Sequence, residues 1–331
     1  MNGPKCQAED YIDFLVASPK VCSAKEAARV QPEERSEVAH DAFSRLLTRV
    51  EPSSEALWEE VQGQVKRKEG LLVIDDTTLD KPYAKHIDMV SYHWSGKHHK
   101  SVRGINLVTV VWTDGDQVLP CDYCVVDKNE GKSKNDLFGE MIRTAKERGF
   151  QPNYVAFDGW YSSLRNLKLV RDMGWFWLTR LKSNRRVNPD GKGNVSVDQI
   201  SIDMDKGSVV HLEGYGFIRV FRIVSKDGDT DHWATNDLTM NELTRLMIAE
   251  QSWAIEHYHR GIKQFCGVER CQSRSARAQR NHIGFSLRAF LRIERWCFRS
   301  GFSWFEAKHQ IIRSAIQAYL AQPLYVLHST A

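Results

Sequence analysis

No stretch of this sequence is apolar for long enough to cross a bilayer, which argues against a helical membrane protein. The start, MNGPKCQAEDYIDF, lacks a basic segment followed by an apolar one, so no secretory signal is expected. Cysteines are few and odd in number, seven scattered among 331 residues, which points to reduced thiols and a cytoplasmic protein. No glycine-rich phosphate loop occurs, so no nucleotide cofactor is expected. Internal repeats and low-complexity tracts are missing too.

Charge is present but unevenly placed. The hydrophobic share of 42% and charged share of 27% suit an ordinary globular chain with room for two or three lobes. The net charge is only +4. Yet between Arg270 and Arg299 stand eight arginines and one acid, Glu294. Such a segment suits a polyanion.

Residues 1–67 read as a helical, helix-turn-helix-like DNA-binding domain. CSAKEAARVQ, with Ser23 as cap, and HDAFSRLLTRV are its two helices, the second offering Ser44, Arg45 and Arg49 to DNA. From residue 68 the pattern changes to strands. LLVID is apolar on both faces, and GINLVTVVW and QVLPCDYCVV flank TDGD as a hairpin. A helix capped by Asn135, the strand NYVAFDGWY, a helix opened by Ser162 and the strand WFWLTRL complete a mixed α/β sheet by residue 182. Residues 183–238 alternate as half-exposed strands and read as a β-rich insertion. Residues 239–300 carry two long helices, the first running from a cap at Asn241 through residue 265, and 301–331 form a helical tail.

LLVIDDTT and NYVAFD both end in acids, Asp75/Asp76 and Asp158. Strand ends of one sheet lie about 5–10 Å apart, so these carboxylates can converge. Like charges brought together are costly unless a cation lies between them, and hard divalent ions take oxygen ligands of this kind. Glu256, in WAIEHYHRGIKQF, supplies a third carboxylate. Arg260 and Lys263 follow it on the same helical face, suited to gripping phosphates.

At these residues the sequence resembles the DDE transposases of bacterial insertion sequences. IDDTTLDK, AFDGWY and WAIEHYHRGIKQFCGVERCQSR carry the likeness, over about residues 70–300. The resemblance implies an RNase H-like core whose catalytic, metal-binding residues are Asp76, Asp158 and Glu256, with Asp75 as the alternative to Asp76. It further implies two Mg²⁺ ions, which Mn²⁺ can replace, double-stranded DNA as substrate, and a homodimer that pairs two element ends. The expected activity is cut-and-paste transposition, with a nuclease or resolvase, or an inactive DNA-binding descendant, as the alternatives. One departure concerns the helix motif: Ala249 and Ser252 stand where the family has Tyr and Arg, leaving Arg260 as the substitute.

Other residues join the expected DNA surface. Lys97, His98, Lys100 and Arg103 crowd one loop, and Arg185 and Arg186 lie in the turn-rich SNRRVNPDGKGN. Trp160, Tyr161 and Trp233 are candidates for stacking a base. Arg270, Arg274 and Arg277 lead into a stripe of Arg288, Arg292, Arg295 and Arg299, read as a phosphate-contacting face. Cys121 and Cys124 are too poorly placed, in a strand, for a zinc site.

Overall fold

Ahead of the two expected N-terminal helices lies a third, α1 (Ala8–Ala17), closed at its start by reciprocal bonds between Gln7 and Asp10. The expected pair follows: α2 (Ala24–Arg29), capped by Ser23, and α3 (His40–Arg49). A further short helix is α4 (Glu55–Val61). The protein is seen here as a computed structural model describing residues 3–95, 99–225 and 227–323.

Four strands come next: β1 (Leu71–Asp80), β2 (Ser91–Ser95), β3 (Lys100–Thr113) and β4 (Val118–Val126). β1 does not stop at the two aspartates. It runs on to Asp80 because β3 pairs with it antiparallel from Leu71↔Thr113 to Asp80↔Gly104. The close approach at Gly104 needs glycine, since a Cβ there would lie 2.5 Å from the Leu79 carbonyl oxygen. β2 and β4 both pair with the other edge of β3.

Then come α5 (Lys134–Glu147), β5 (Tyr154–Phe157), α6 (Leu164–Asp172) and β6 (Phe176–Leu181). The caps differ by a residue or two from the expected Asn135 and Ser162. Ser133 starts α5 because Asp136, three residues on, returns the bond to the Ser133 N–H. Ser163 caps α6. β1, β5 and β6 pair in parallel, the α/β half of a mixed sheet.

The residues expected as an insertion supply β7 (Arg186–Asn188), β8 (Val195–Ser196), β9 (Ser208–Leu212), β10 (Gly216–Val224) and β11 (Thr230–Thr235). They do not form a sheet apart. β11 pairs with β6, so one sheet runs β2-β3-β1-β5-β6-β11-β10-β9-β7-β8, with β4 beside β3.

The long helix expected over 241–265 is interrupted at Trp253 into α7 (Glu242–Ser252) and α8 (Ala254–Phe265). After them come α9 (Ala276–Ser300) and α10 (Trp304–Ala321). Among the described residues no helix is long and apolar enough to cross a membrane.

These elements form two compact units that do not follow chain order. One comprises the described residues up to Ser53, Tyr83–Asp88 and those from Arg260 on; the other comprises the described residues of Ser54–Pro82 and Met89–His259. The N-terminal helices therefore do not stand apart as a domain of residues 1–67. α1 and α3 are built on α9: the Tyr11 hydroxyl meets His282 Nδ1 at 3.0 Å, and Asn281 donates to the carbonyls of Leu47 and Val50 at 2.8 Å each. In the other unit Trp112 and Trp177 are fully buried within the sheet's core.

Candidate catalytic site

β1 and β5 fix the geometry of the acids. Parallel pairing places Val73 beside Ala156 and Ile74 beside Phe157, and partners across a sheet share a face. The Phe157 ring packs edge-on against Phe138 of α5, 5.1 Å between centroids. Ile74, and two residues on Asp76, therefore point toward α5. One step beyond Ile74↔Phe157 come Asp75 and Asp158, and side chains alternate, so these two point to the other face. Adjacent in sequence, Asp75 and Asp76 occupy opposite sides of the sheet.

Asp76 is densely bonded. Its Oδ2 accepts from Lys134 Nζ at 2.6 Å and from Asn106 Nδ2 at 2.7 Å, and its Oδ1 accepts from the Tyr161 hydroxyl at 2.7 Å. Burial on its own would raise this carboxyl, but the Lys134 charge and the three donors outweigh it and hold Asp76 below the usual carboxylate range. Tyr161 feels the converse: burial, then the Asp76 charge, push its hydroxyl up, so it stays a donor.

Asp75 has different company. Burial pushes it well above the usual range, and Asp76, Glu256 and Asp158 add to that push while the Asp76 N–H opposes it. Its partner across β3 is Thr109. Among the described residues the buried Thr109 hydroxyl has no hydrogen-bond partner.

Asp158 follows β5 directly, in extended backbone, and leads into a turn over Gly159–Tyr161. Gly159 is required there, because a Cβ would stand 2.9 Å from the Arg180 carbonyl oxygen. The Arg180 guanidinium reaches Asp158 at 3.2 Å and Asp231 at 3.4 Å, and lies 5.8 Å from the Trp233 ring centre. Glu256 is exposed in the first turn of α8, and α7, just before it, packs against β1, β5 and β6.

The other expected residues fall into distinct settings. Trp160 is 58% exposed, its ring flanked by the ammonium groups of Lys134 at 5.8 Å and Lys182 at 5.4 Å. Tyr161 is fully buried, stacked on Phe138, and offers no face to a base. Trp233 is half-buried between Arg180 and Arg245. Lys100 is exposed and Arg103 lies over the exposed Tyr92, whereas Lys97 and His98 fall outside the described residues. Arg185 donates to the Ser162 carbonyl, and Arg186 to that of Asn194. Arg260 is exposed; Lys263 pairs with Glu269 at 3.5 Å. Arg270 and Arg274 are exposed, and Arg277 pairs with Glu51 at 2.9 Å. The stripe expected to meet phosphates is partly spent inside its own unit: Arg288 pairs with Glu9 at 3.0 Å and Arg292 with Asp13 at 2.6 Å. The acids that meet these two arginines lie 279 residues upstream, out of reach of any local pattern.

Three residues of the site escaped the sequence reading: Lys134, Asn106 and Arg180. Lys134 follows the cap residue of α5 and Arg180 sits in a mostly apolar strand, so neither stands in a pattern that signals chemistry.

Asp75, Asp158 and Glu256 offer only hard oxygen donors, the chemistry that suits Mg²⁺ or Mn²⁺. Among the described residues no three His, Cys, Asp or Glu side chains converge closely enough to enclose an ion, so loading one requires these carboxylates to draw together. A mixed sheet flanked by helices, with acids just past the last parallel pair of β1 and β5, defines an RNase H-like fold of the kind used for phosphoryl transfer.

Residues 66–291 match the family described as the transposase DDE domain, and the chain belongs to that family. It is a DNA transposase. Its fold resembles that of the piggyBac transposase in a synaptic complex with hairpin DNA, with a TM-score of 0.54 and 12% identity, covering 98% of this chain and 74% of that one. Weaker likenesses include the Drosophila P element transposase strand transfer complex (TM-score 0.31, 8% identity, 98% of this chain and 88% of that one). Another is the Mos1 transposase paired-end complex with left transposon end (TM-score 0.20, 13% identity, 53% of this chain and 59% of that one). No curated protein matches the chain in sequence.

Proposed function

We propose that this transposase cuts DNA at the ends of its own element and joins the freed 3′ ends to target DNA, using Mg²⁺, or Mn²⁺ in its place. The observation that supports this most is the β1–β5 register, which sets an aspartate of β1 beside Asp158 on one face, in the field of Glu256. Asp158, Glu256 and one member of the pair Asp75/Asp76 hold the ions. When bound, divalent ions supply an activated oxygen nucleophile and neutralise charge on the leaving oxygen. In the first step water attacks phosphorus and the P–O3′ bond breaks, leaving a 3′-hydroxyl and a 5′-phosphate. In the second, that hydroxyl attacks a phosphodiester of the target, expelling a 3′-oxygen there.

The remaining residues orient DNA. Trp160, with Lys134 and Lys182 beside it, joins an aromatic face to two cations next to Asp158. Such faces hold bases by stacking, worth about 1–3 kcal/mol per base. Arg180 frees its guanidinium for phosphate if an ion takes over Asp158. Lys100, Arg103, Arg260, Lys263, Arg270 and Arg274 contact the backbone of double-stranded DNA, and two copies of the chain pair the two element ends.

Labelled DNA carrying the element's ends, incubated with Mg²⁺ or Mn²⁺, tests this. Cutting by the wild type, lost in Asp158→Ala while DNA is still retained, supports the reading, and joining to a plasmid separates transposition from plain nuclease action. Retention without cutting under either metal would overturn it.

A further inference from the structure

We propose that the adjacent aspartates of β1 divide two tasks: Asp75 is the metal ligand, and Asp76 is a positioning residue that anchors Lys134 and Tyr161 on the opposite side of the sheet. This rests on the metal-dependent reading above and reverses the expectation that the aspartate directly before the threonine pair is the ligand.

The first argument is direction. The pairing Ile74↔Phe157 carried one step forward aligns Asp75 with Asp158, while alternation turns Asp76 toward α5. Two ligands of one ion must share a face, and Asp76 does not share that of Asp158.

The second argument is occupancy. Both oxygens of Asp76 are already used, by one ammonium and two neutral donors between 2.6 and 2.7 Å. An ion binding there must displace Lys134 and strand Asn106 and Tyr161, both fully buried. Unpaired buried polar groups cost about 1–3 kcal/mol each. At Asp75 no such network has to be broken. The charges facing it from Glu256 and Asp158 are of its own sign, so a divalent cation relieves repulsion.

The third argument is the Thr109 hydroxyl. It lies directly across the ladder from Asp75, fully buried and without a partner among the described residues. A hydroxyl on that face is suited to hold a water bound to the ion, the kind of outer support that metal sites use. Asn106, on the Asp76 face, donates its amide nitrogen to Asp76, and its amide oxygen has no partner among the described residues.

The test uses the full chain, Mn²⁺ as probe, and two isosteric variants, Asp75→Asn and Asp76→Asn. Mn²⁺ uptake is read from the electron paramagnetic resonance signal of the free ion, and fold from thermal melting in EDTA. Loss of a supporting residue typically weakens metal binding about 10- to 100-fold. Asp75→Asn is expected to reach or exceed the upper figure, with a melting temperature in EDTA no lower than wild type because a buried carboxyl that is costly to ionise has gone. Asp76→Asn is expected to hold Mn²⁺ within about 10-fold of wild type and to melt lower in EDTA, because Lys134 is left without its anion. The double change Asp76→Asn/Lys134→Met should recover part of that loss. Equal loss of Mn²⁺ in both single variants, or loss in Asp76→Asn alone, overturns the division of tasks. A wild type that takes up no Mn²⁺ while still retaining DNA overturns the metal-dependent reading itself, and this inference with it.

Discussion

Tyr161 and Asp76 are joined by a 2.7 Å hydrogen bond from the phenol to Oδ1, linking the turn after the second acidic strand end to the middle of β1. Because Tyr161 also stacks on Phe138, that turn is held from two sides. The site's geometry thus depends on a fully buried residue.

Tyr161→Phe keeps the ring and removes the donor. Asp76 then has two donors instead of three in a buried setting. Unfolding in urea should show a loss of about 1–3 kcal/mol, the usual cost of an unsatisfied buried partner. An unchanged midpoint would mean the bond contributes nothing to stability.

Gly159→Ala tests the close approach to β6. The added methyl meets the Arg180 carbonyl oxygen at 2.9 Å, and backbone on both sides resists movement. Overpacking of this kind costs about 1–3 kcal/mol. Since Asp158 is the preceding residue, DNA cleavage should fall more than stability alone explains. Cleavage rates measured well below the melting temperature separate the two effects.

Trp160→Ala removes an exposed ring that little else in the fold leans on, its neighbours being the ammonium groups of Lys134 and Lys182. Melting should stay near wild type. DNA affinity should drop by about 1–3 kcal/mol if one base stacks there, and Trp160→Phe should restore part of it. Fluorescence anisotropy with end-derived oligonucleotides gives the comparison.

Asp10→Asn addresses acid stability. Asp10 is held below the usual carboxylate range chiefly by its hydrogen bond from Arg35, at 2.6 Å, with a further bond from the Gln7 N–H. A lowered folded-state pKa means stability that is fully present above the unfolded carboxylate range and lost as pH falls through the folded value. Wild type should therefore melt above the variant at neutral pH, and the gap should close in acid. Melting curves at neutral and strongly acidic pH check the sign.

Much of the fold was readable in order. The alternation of strands, the cap at Ser23, the cap at Asn241 and the hairpin around TDGD are local signals, set by propensity and by bonds spanning three or four residues. Caps at 133 and 163 were misplaced because several capping residues stand side by side and only the reciprocal bond with Asp136, or the backbone direction, selects among them. The break at Trp253 left no glycine or proline to mark it.

The sequence by itself determined the class: acids after two apolar β-forming runs, a helix-borne glutamate behind a long insertion, and a family motif around each. Only the tertiary structure decided which partners each charge meets. Arg288 and Arg292 met Glu9 and Asp13 instead of facing solvent, and β11 joined the insertion to the main sheet. The two aspartates of β1, alike and adjacent in the chain, were separated by one half-period of a strand. Their difference arises from pairing with β5 and from what α5 brings to one side, and long-range pairing of that kind is written in no single segment.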